Sequence, residues 1–125
     1  MTALAVALGG ALGALARWGT SGWIHARTGL QFPWGTLGVN LLGALLLGIS
    51  YGVFEHVQLP PAARSFLTLG FLGAFTTFST FSYEAVLLLQ RGETSRAVGY
   101  VGGSVIAGLL AVVLGLAIGR SFGAS

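Results

Sequence analysis

Residues 70–82 combine glycines, hydroxyls and phenylalanines in a pattern that indicates ion chemistry. The segment reads GFLGAFTTFSTFS, and hydroxyl side chains occupy five of its last seven positions. A hydroxyl can replace water around an ion, and the positive edge of a phenyl ring can contact an anion. Phe75, Phe78 and Phe81 are spaced by three and fall roughly on one helical face. Such a stripe is typical of core packing, but packing leaves the interleaved hydroxyls unexplained, so we predict a transport site.

Small residues precede these hydroxyls and weaken the helix that carries them. Gly70, Gly73 and Ala74 all lie within one uncharged stretch. A broken helix at membrane depth is tolerated only where it is buried or lines a cavity. The carbonyls that a break frees can bind a cation, and the N-terminus of the following half-helix favours an anion. We therefore expect the third helix to be broken near its middle.

Five other polar side chains lie in apolar surroundings, and each has two interpretations. Asn40 can donate to an anion or join two helices. Tyr100 and Ser104 are four residues apart and share a helical face, which serves either packing or a polar route. Arg17 and Glu84 are the clearly intramembrane charges, and such charges mark functional sites, ion pairs or snorkelling ends. The sequence leaves both interpretations open for all five.

The composition places these residues in a membrane. Of the 125 residues, 54% are hydrophobic and 7% charged, where about 25% charged is typical of soluble domains. Four apolar segments, residues 3–24, 35–54, 65–90 and 97–118, each reach the roughly 20 residues that cross a bilayer. The sequence therefore predicts an all-α membrane protein with one transmembrane domain over residues 1–125. Glycine, at 21 residues, favours close helix packing. The spacings Gly48/Gly52, Gly99/Gly103 and Gly115/Gly119 place small residues on one helical face, which predicts close packing within or between subunits.

Several functional classes are disfavoured. The chain has no His/Asp/Glu cluster, phosphate-binding loop or nucleophile with a base, so we do not expect an enzyme. Cysteine is absent. The six arginines are scattered singly, as interfacial anchors are, and do not form a nucleic-acid-binding patch. His25 and His56 are predicted in loops, without a role.

The arginines also bear on orientation. With four crossings, Arg64 and Arg120 lie on one side of the membrane, and Arg27, Arg91 and Arg96 lie on the other. The positive-inside rule needs a clear excess on one side. This near balance fits either a weakly oriented protein or a chain that inserts both ways and forms an antiparallel dimer. On size alone, four helices are few to enclose a pathway, which favours a homo-oligomer.

Three stretches and one residue pair resemble a known family. Residues 70–82, with the centre TTFSTF, resemble the third-helix signature of the small fluoride channels of the Fluc or CrcB family. Residues 9–18 (GGALGALARW) resemble its first-helix pattern, although Trp18 stands where tyrosine is more common. Residues 35–43 (GTLGVNLLG) resemble the second-helix pattern, and Tyr100 with Ser104 matches the fourth-helix pair.

The resemblance implies an antiparallel, dual-topology homodimer in the cell membrane that lowers cytoplasmic fluoride by passive export. A structural sodium ion at the dimer centre would bind the backbone carbonyls of Gly73 and Thr76. Glu84 matches an acidic position of the family whose role stays open, as does that of Arg17. The implied fluoride pathway comprises Asn40, Phe78, Ser79, Thr80, Phe81, Tyr100 and Ser104.

Two alternatives compete with a fluoride channel. A small multidrug-resistance-type exporter is also a four-helix, dual-topology dimer, but it needs a carboxylate in its first helix to exchange protons for cationic drugs. The first helix here carries Arg17 instead, which counts against an exporter. The other alternative is a non-transporting membrane assembly subunit, in which the polar run only joins helices.

Overall fold

The structure, a computed structural model, describes residues 1–123, which are helical and contain no strand. As the sequence predicts, four segments are long and apolar enough to cross a membrane, and the third is Pro61–Gln90. That segment is divided into several helical pieces. The elements are α1 Thr2–Thr28, α2 Trp34–Phe54, α3 Pro61–Ser65, a π-helical stretch Phe66–Leu72, α4 Gly73–Phe75, α5 Phe78–Gln90 and α6 Thr94–Ser121.

Helix α1 continues further than its predicted end at residue 24. It ends at Thr28, where Gly29 adopts a left-handed φ of 80° that stops the helix. His25 therefore lies in the last turn of α1, and its predicted place in a loop was wrong. The imidazole packs against Gly35 at the start of α2, where a Cβ would lie 2.6 Å from its Nε2 atom.

Helices α2 and α6 form the most extensive helix pair among residues 1–123, and glycines allow their backbones to meet. A Cβ on Gly48 would lie 3.1 Å from the Cα of Gly115, and one on Gly52 would lie 2.9 Å from the Cα of Gly119. The glycine spacings in both helices predict this close packing, which is confirmed. A third such glycine pair, at positions 99 and 103, has open space around it within residues 1–123.

Helix α1 packs against the π-helical stretch of the third segment. Gly9 faces the carbonyl of Phe66, and Gly13 faces the carbonyl of Phe71. A Cβ on Gly70 would lie 2.9 Å from the Val6 carbonyl oxygen. Glycine on both sides thus brings backbone against backbone. A π-helical turn inside an α-helix is rare and often lies near functional sites, and here only the short helix α4 separates it from the interruption described next.

Candidate functional site

The third segment loses its helical geometry at Thr76 and Thr77. Both residues adopt extended backbone angles, with φ −94° and ψ 162° at Thr76 and φ −150° and ψ 122° at Thr77. Asn40 of α2 binds both polar groups of the Thr77 backbone. Its Nδ2 atom donates to the Thr77 carbonyl at 3.1 Å, and its Oδ1 atom accepts from the Thr77 N–H at 2.8 Å. The asparagine therefore joins two helices and satisfies the interrupted backbone there.

The interruption leaves four carbonyls, those of residues 73–76, without the donors that a continuous helix would supply. In an α-helix each N–H donates to the carbonyl four residues earlier. The Thr77 N–H, which would reach Gly73, donates to Asn40 instead. The Thr80 N–H, which would reach Thr76, donates to the Thr77 hydroxyl at 3.3 Å. The interruption thus releases the carbonyls of Gly73 and Thr76, the two predicted to bind sodium.

A cavity of about 390 Å³ opens beside the interruption. It is mostly apolar, with an amide, several hydroxyls and two phenyl rings on its wall. Six of the predicted site residues line it together: Asn40, Gly73, Thr76, Phe78, Phe81 and Ser104. Five others do not line it: Arg17, Ser79, Thr80, Glu84 and Tyr100.

Phe78 and Phe81 form the aromatic part of the cavity wall. Their ring centroids are 6.0 Å apart, and Phe81 in turn contacts Tyr100 at 5.0 Å. Phe78 is 79% exposed within the subunit, whereas Phe81 packs beside the core. Phe75 does not share their face, because the interruption separates it from α5; it is buried and stacks on Phe71. The predicted three-membered stripe was wrong on this point, since it assumed a continuous helix.

The hydroxyls of the third segment divide into two groups. Thr76 and Ser82 donate back to the carbonyls of Leu72 and Phe78, and the Thr77 hydroxyl caps the start of α5. These three satisfy the backbone locally. Ser79 and Thr80 lie in the first turn of α5, exposed and half-buried, respectively.

The two predicted hydroxyls of α6 have different surroundings. The Tyr100 side chain is almost completely buried, and its hydroxyl donates to Glu84 Oε1 at 3.2 Å. Thr36 of α2 lies beside the same hydroxyl. Ser104 lines the cavity, and its buried Oγ atom has no hydrogen-bond partner within residues 1–123. A buried hydroxyl without a partner costs free energy unless something else binds it, so Ser104 is available to a ligand in the cavity.

Arg17 reaches the interruption from α1. Its Nε atom donates to the carbonyl of Ala74 at 3.0 Å. Because α1 extends to Thr28, Arg17 lies near the middle of the helix and not near one end. The guanidinium therefore binds a second membrane segment, which is not the geometry of a snorkelling side chain.

Two residues near the site were not predicted from the sequence. Thr36 is buried beside Tyr100, and Thr68 is buried where it lines the cavity. Thr36 precedes Asn40 by four residues, so the two share a face of α2, and that spacing was a usable signal. Thr68 precedes the glycines and donates to the Arg64 carbonyl in its own helix, which makes it inconspicuous in the sequence.

The chain is similar to known proteins over most of its length. A family model described as "CrcB-like protein, Camphor Resistance (CrcB)" matches residues 4–116. A protein of Acidobacterium capsulatum named "Fluoride-specific ion channel FluC" is 48% identical over 121 residues, covering 96% of this chain and 97% of that protein. Proteins with the same name from Thermus thermophilus (48% identity, 93% and 91% coverage) and Chloroflexus aurantiacus (46%, 96% and 96%) are similar.

Proposed function

We propose, since this chain belongs to the CrcB family, that it is a fluoride-selective channel of the cell membrane. The chain matches its relatives over nearly their whole length, and these relatives are named fluoride-specific ion channels. The observation that carries the proposal is the cavity beside the interruption. It brings two phenyl rings and the Ser104 hydroxyl, which has no hydrogen-bond partner among the described residues, together within an apolar wall.

The wall chemistry suits a small anion that holds its water tightly. A pore must replace that hydration with ordered donors. In the proposed pathway, Ser104 donates a hydrogen bond, and Phe78 and Phe81 offer positively polarised ring edges. Asn40 keeps one N–H beyond the one bound to Thr77. Narrow apolar walls would disfavour larger chloride, because they leave no space for water to remain around it.

Tyr100, Ser79 and Thr80 belong to the proposed pathway outside the cavity. Tyr100 contacts Phe81 and holds Glu84, so it links the ring pair to the only carboxylate in α5. Ser79 and Thr80 stand in the first turn of α5, where the helix dipole favours an anion. These three extend the polar route beyond the cavity.

We propose that the interruption at Thr76 and Thr77 breaks the third transmembrane helix into two parts and holds a structural sodium ion between them. The carbonyls of Gly73 and Thr76 would bind it, since both have lost their helical donors. Residues 1–123 contain no cluster of three or more His, Cys, Asp or Glu side chains for a metal. When bound, the ion would contribute a fixed positive charge that offsets the burial of fluoride.

The channel is proposed to be an antiparallel homodimer. Phe78 is 79% exposed in one subunit although it lies at the predicted centre of a membrane segment, and a second copy would cover it. The arginines support insertion in both directions. Arg96 pairs with Glu93 at 3.0 Å, and Arg120 pairs with Glu55 at 2.8 Å. These pairs lie at opposite ends of α6, so the charge at the two ends remains nearly balanced.

Fluoride efflux from liposomes tests the proposed function. Purified protein reconstituted with internal potassium fluoride and external sodium should release fluoride when valinomycin balances the charge. Chloride-loaded liposomes should release little. No fluoride release, or equal release of chloride, would contradict the channel. Fluoride accumulated as its weak acid would then leave the cell by passive export, which is how the channel would give fluoride resistance.

A further inference from the structure

Four carbonyls at the interruption lose the donors of a continuous helix, and Arg17 binds one of them. The Ala74 carbonyl would receive the Phe78 N–H in a continuous helix. Instead it accepts from Arg17 Nε at 3.0 Å. The neighbouring carbonyls of Gly73, Phe75 and Thr76 lose their donors too, and within residues 1–123 none of them gains a side-chain donor in this way. Arg17 thus distinguishes one carbonyl from three others of the same chemical kind.

We propose that Arg17 is a positioning residue that determines which oxygens at the interruption a cation can bind, and thereby which cation the protein prefers. This inference rests on the proposed sodium site. By occupying the Ala74 carbonyl, the guanidinium removes one of the four released carbonyls and leaves those of Gly73 and Thr76, the two proposed to bind sodium, for the ion. It also places a permanent positive charge beside them, because an arginine stays protonated under all ordinary conditions.

Two physical effects follow from this placement. Cation selectivity in carbonyl sites depends on the number of coordinating oxygens and on their field strength. A free Ala74 carbonyl would add a ligand and make the site less discriminating. Separately, the like charge of the guanidinium weakens binding of any cation nearby. The first effect depends on the hydrogen bond and the second on the charge.

Two variants separate these effects. Glutamine has its amide nitrogen as many bonds from Cα as Arg17 Nε, so Arg17→Gln keeps a donor for Ala74 and removes the charge. Methionine has a methyl group at that position, so Arg17→Met removes both. Arg27→Met is the matched control, because Arg27 stacks over the Trp23 ring, 3.9 Å from its centroid, away from the interruption.

The measurement is thermal stability of the purified protein, titrated with sodium or potassium chloride at constant ionic strength. We expect sodium to stabilise the wild type at lower concentration than potassium. The midpoint of each titration is the cation concentration that gives half of the maximal stabilisation. Arg17→Met should reduce the ratio of the potassium midpoint to the sodium midpoint by at least about fivefold, the lower end of typical coupling between sites. Arg17→Gln should keep the ratio while lowering both midpoints, and Arg27→Met should change neither.

Unchanged ratios in Arg17→Met would overturn the assignment of selectivity to Arg17. Should that variant fail to fold, Arg17→Gln carries the test alone: sodium and potassium midpoints that do not fall below those of the wild type would overturn the proposed action of Arg17 on the bound cation. A wild type that sodium does not stabilise would instead refute the proposed sodium site, so the two failures are distinguishable.

Discussion

At the scale of single residues, the side chains at and around the cavity fall into two kinds. Arg17, Asn40 and Glu84 each bind a group of another segment. Ser104 has no partner within residues 1–123, and Phe78 is largely uncovered in one subunit. Substitution of the first kind should therefore destabilise the fold, whereas substitution of the second kind should change transport more than stability.

The phenyl pair provides one test of this distinction. Phe78→Ile and Phe81→Ile should each reduce fluoride efflux, by up to about tenfold, since an aromatic contact contributes ~0.5–1.5 kcal/mol and about 1.4 kcal/mol is a factor of ten in rate. Phe81→Ile should also lower thermal stability slightly, because Phe81 packs against the core. Efflux that stays at wild-type levels in both variants would assign the rings to packing alone.

The hydroxyl of Ser104 provides another test. Ser104→Ala should leave thermal stability unchanged, because no hydrogen bond within the subunit is lost. Fluoride efflux should fall by about tenfold or more, since a hydrogen bond to a charged group contributes ~1.5–3 kcal/mol and about 1.4 kcal/mol is a factor of ten in rate. Ser50→Ala is the control, since the Ser50 hydroxyl donates to Leu46 in its own helix. Equal efflux from the two variants would remove Ser104 from the pathway.

At the scale of elements, the contact between α1 and the π-helical stretch positions the interruption. Gly9 and Gly13 admit the carbonyls of Phe66 and Phe71, and Arg17 follows Gly13 by one turn. The same helix face thus packs the π-helical turns and then binds Ala74. A change that separates these backbones should displace the interruption as well.

Gly13→Ala tests this contact. Its Cβ would collide with the Phe71 backbone, so the free energy of unfolding should fall by about 1–3 kcal/mol, as is typical of overpacking. Fluoride efflux should fall with it. Gly10→Ala is the matched control in the same helix, because its Cβ would meet no atom within 4 Å. Thermal unfolding of both variants is the measurement. A Gly13→Ala protein as stable as Gly10→Ala would contradict close packing between α1 and the π-helical stretch.

At the scale of the whole molecule, one subunit leaves part of its membrane-embedded surface uncovered. The N-terminal half of α6 exposes Gly99 and Gly103, around which a Cβ meets nothing within 4 Å. Ser104 lies beside Gly103 and faces the cavity. Small residues at this position suit a helix of a second copy, which would also close the cavity from that side.

Gly103→Leu should therefore weaken the proposed dimer without disturbing the subunit. We expect more monomer in detergent by analytical ultracentrifugation, with circular dichroism unchanged. Gly22→Leu in α1, another position with open space around its Cβ, should leave the dimer intact. A dimer that survives Gly103→Leu at the wild-type dissociation constant would place the interface elsewhere.

Much of this architecture was predictable from the sequence. Four apolar segments of sufficient length allow little other than four crossings, because a bilayer requires continuous apolar residues. Hydroxyls and glycines in the third segment were equally informative about the position of the site, since a lipid-facing helix has no use for them. The glycine spacings of α2 and α6 predicted close packing, because small residues on one face let helix backbones approach.

Tertiary structure decided which groups meet, because a hydrogen bond depends on positions in space that residue spacing along one helix cannot supply. Arg17 and Ala74 are 57 residues apart, and Asn40 and Thr77 are 37 apart. Only the tertiary structure shows that four carbonyls at the interruption have lost their helical donors and that Arg17 binds one of them. Phe75 does not lie in the predicted stripe for the same reason. Helical periodicity ends where another segment supplies partners for the backbone, so Phe75 does not share a face with Phe78 and Phe81.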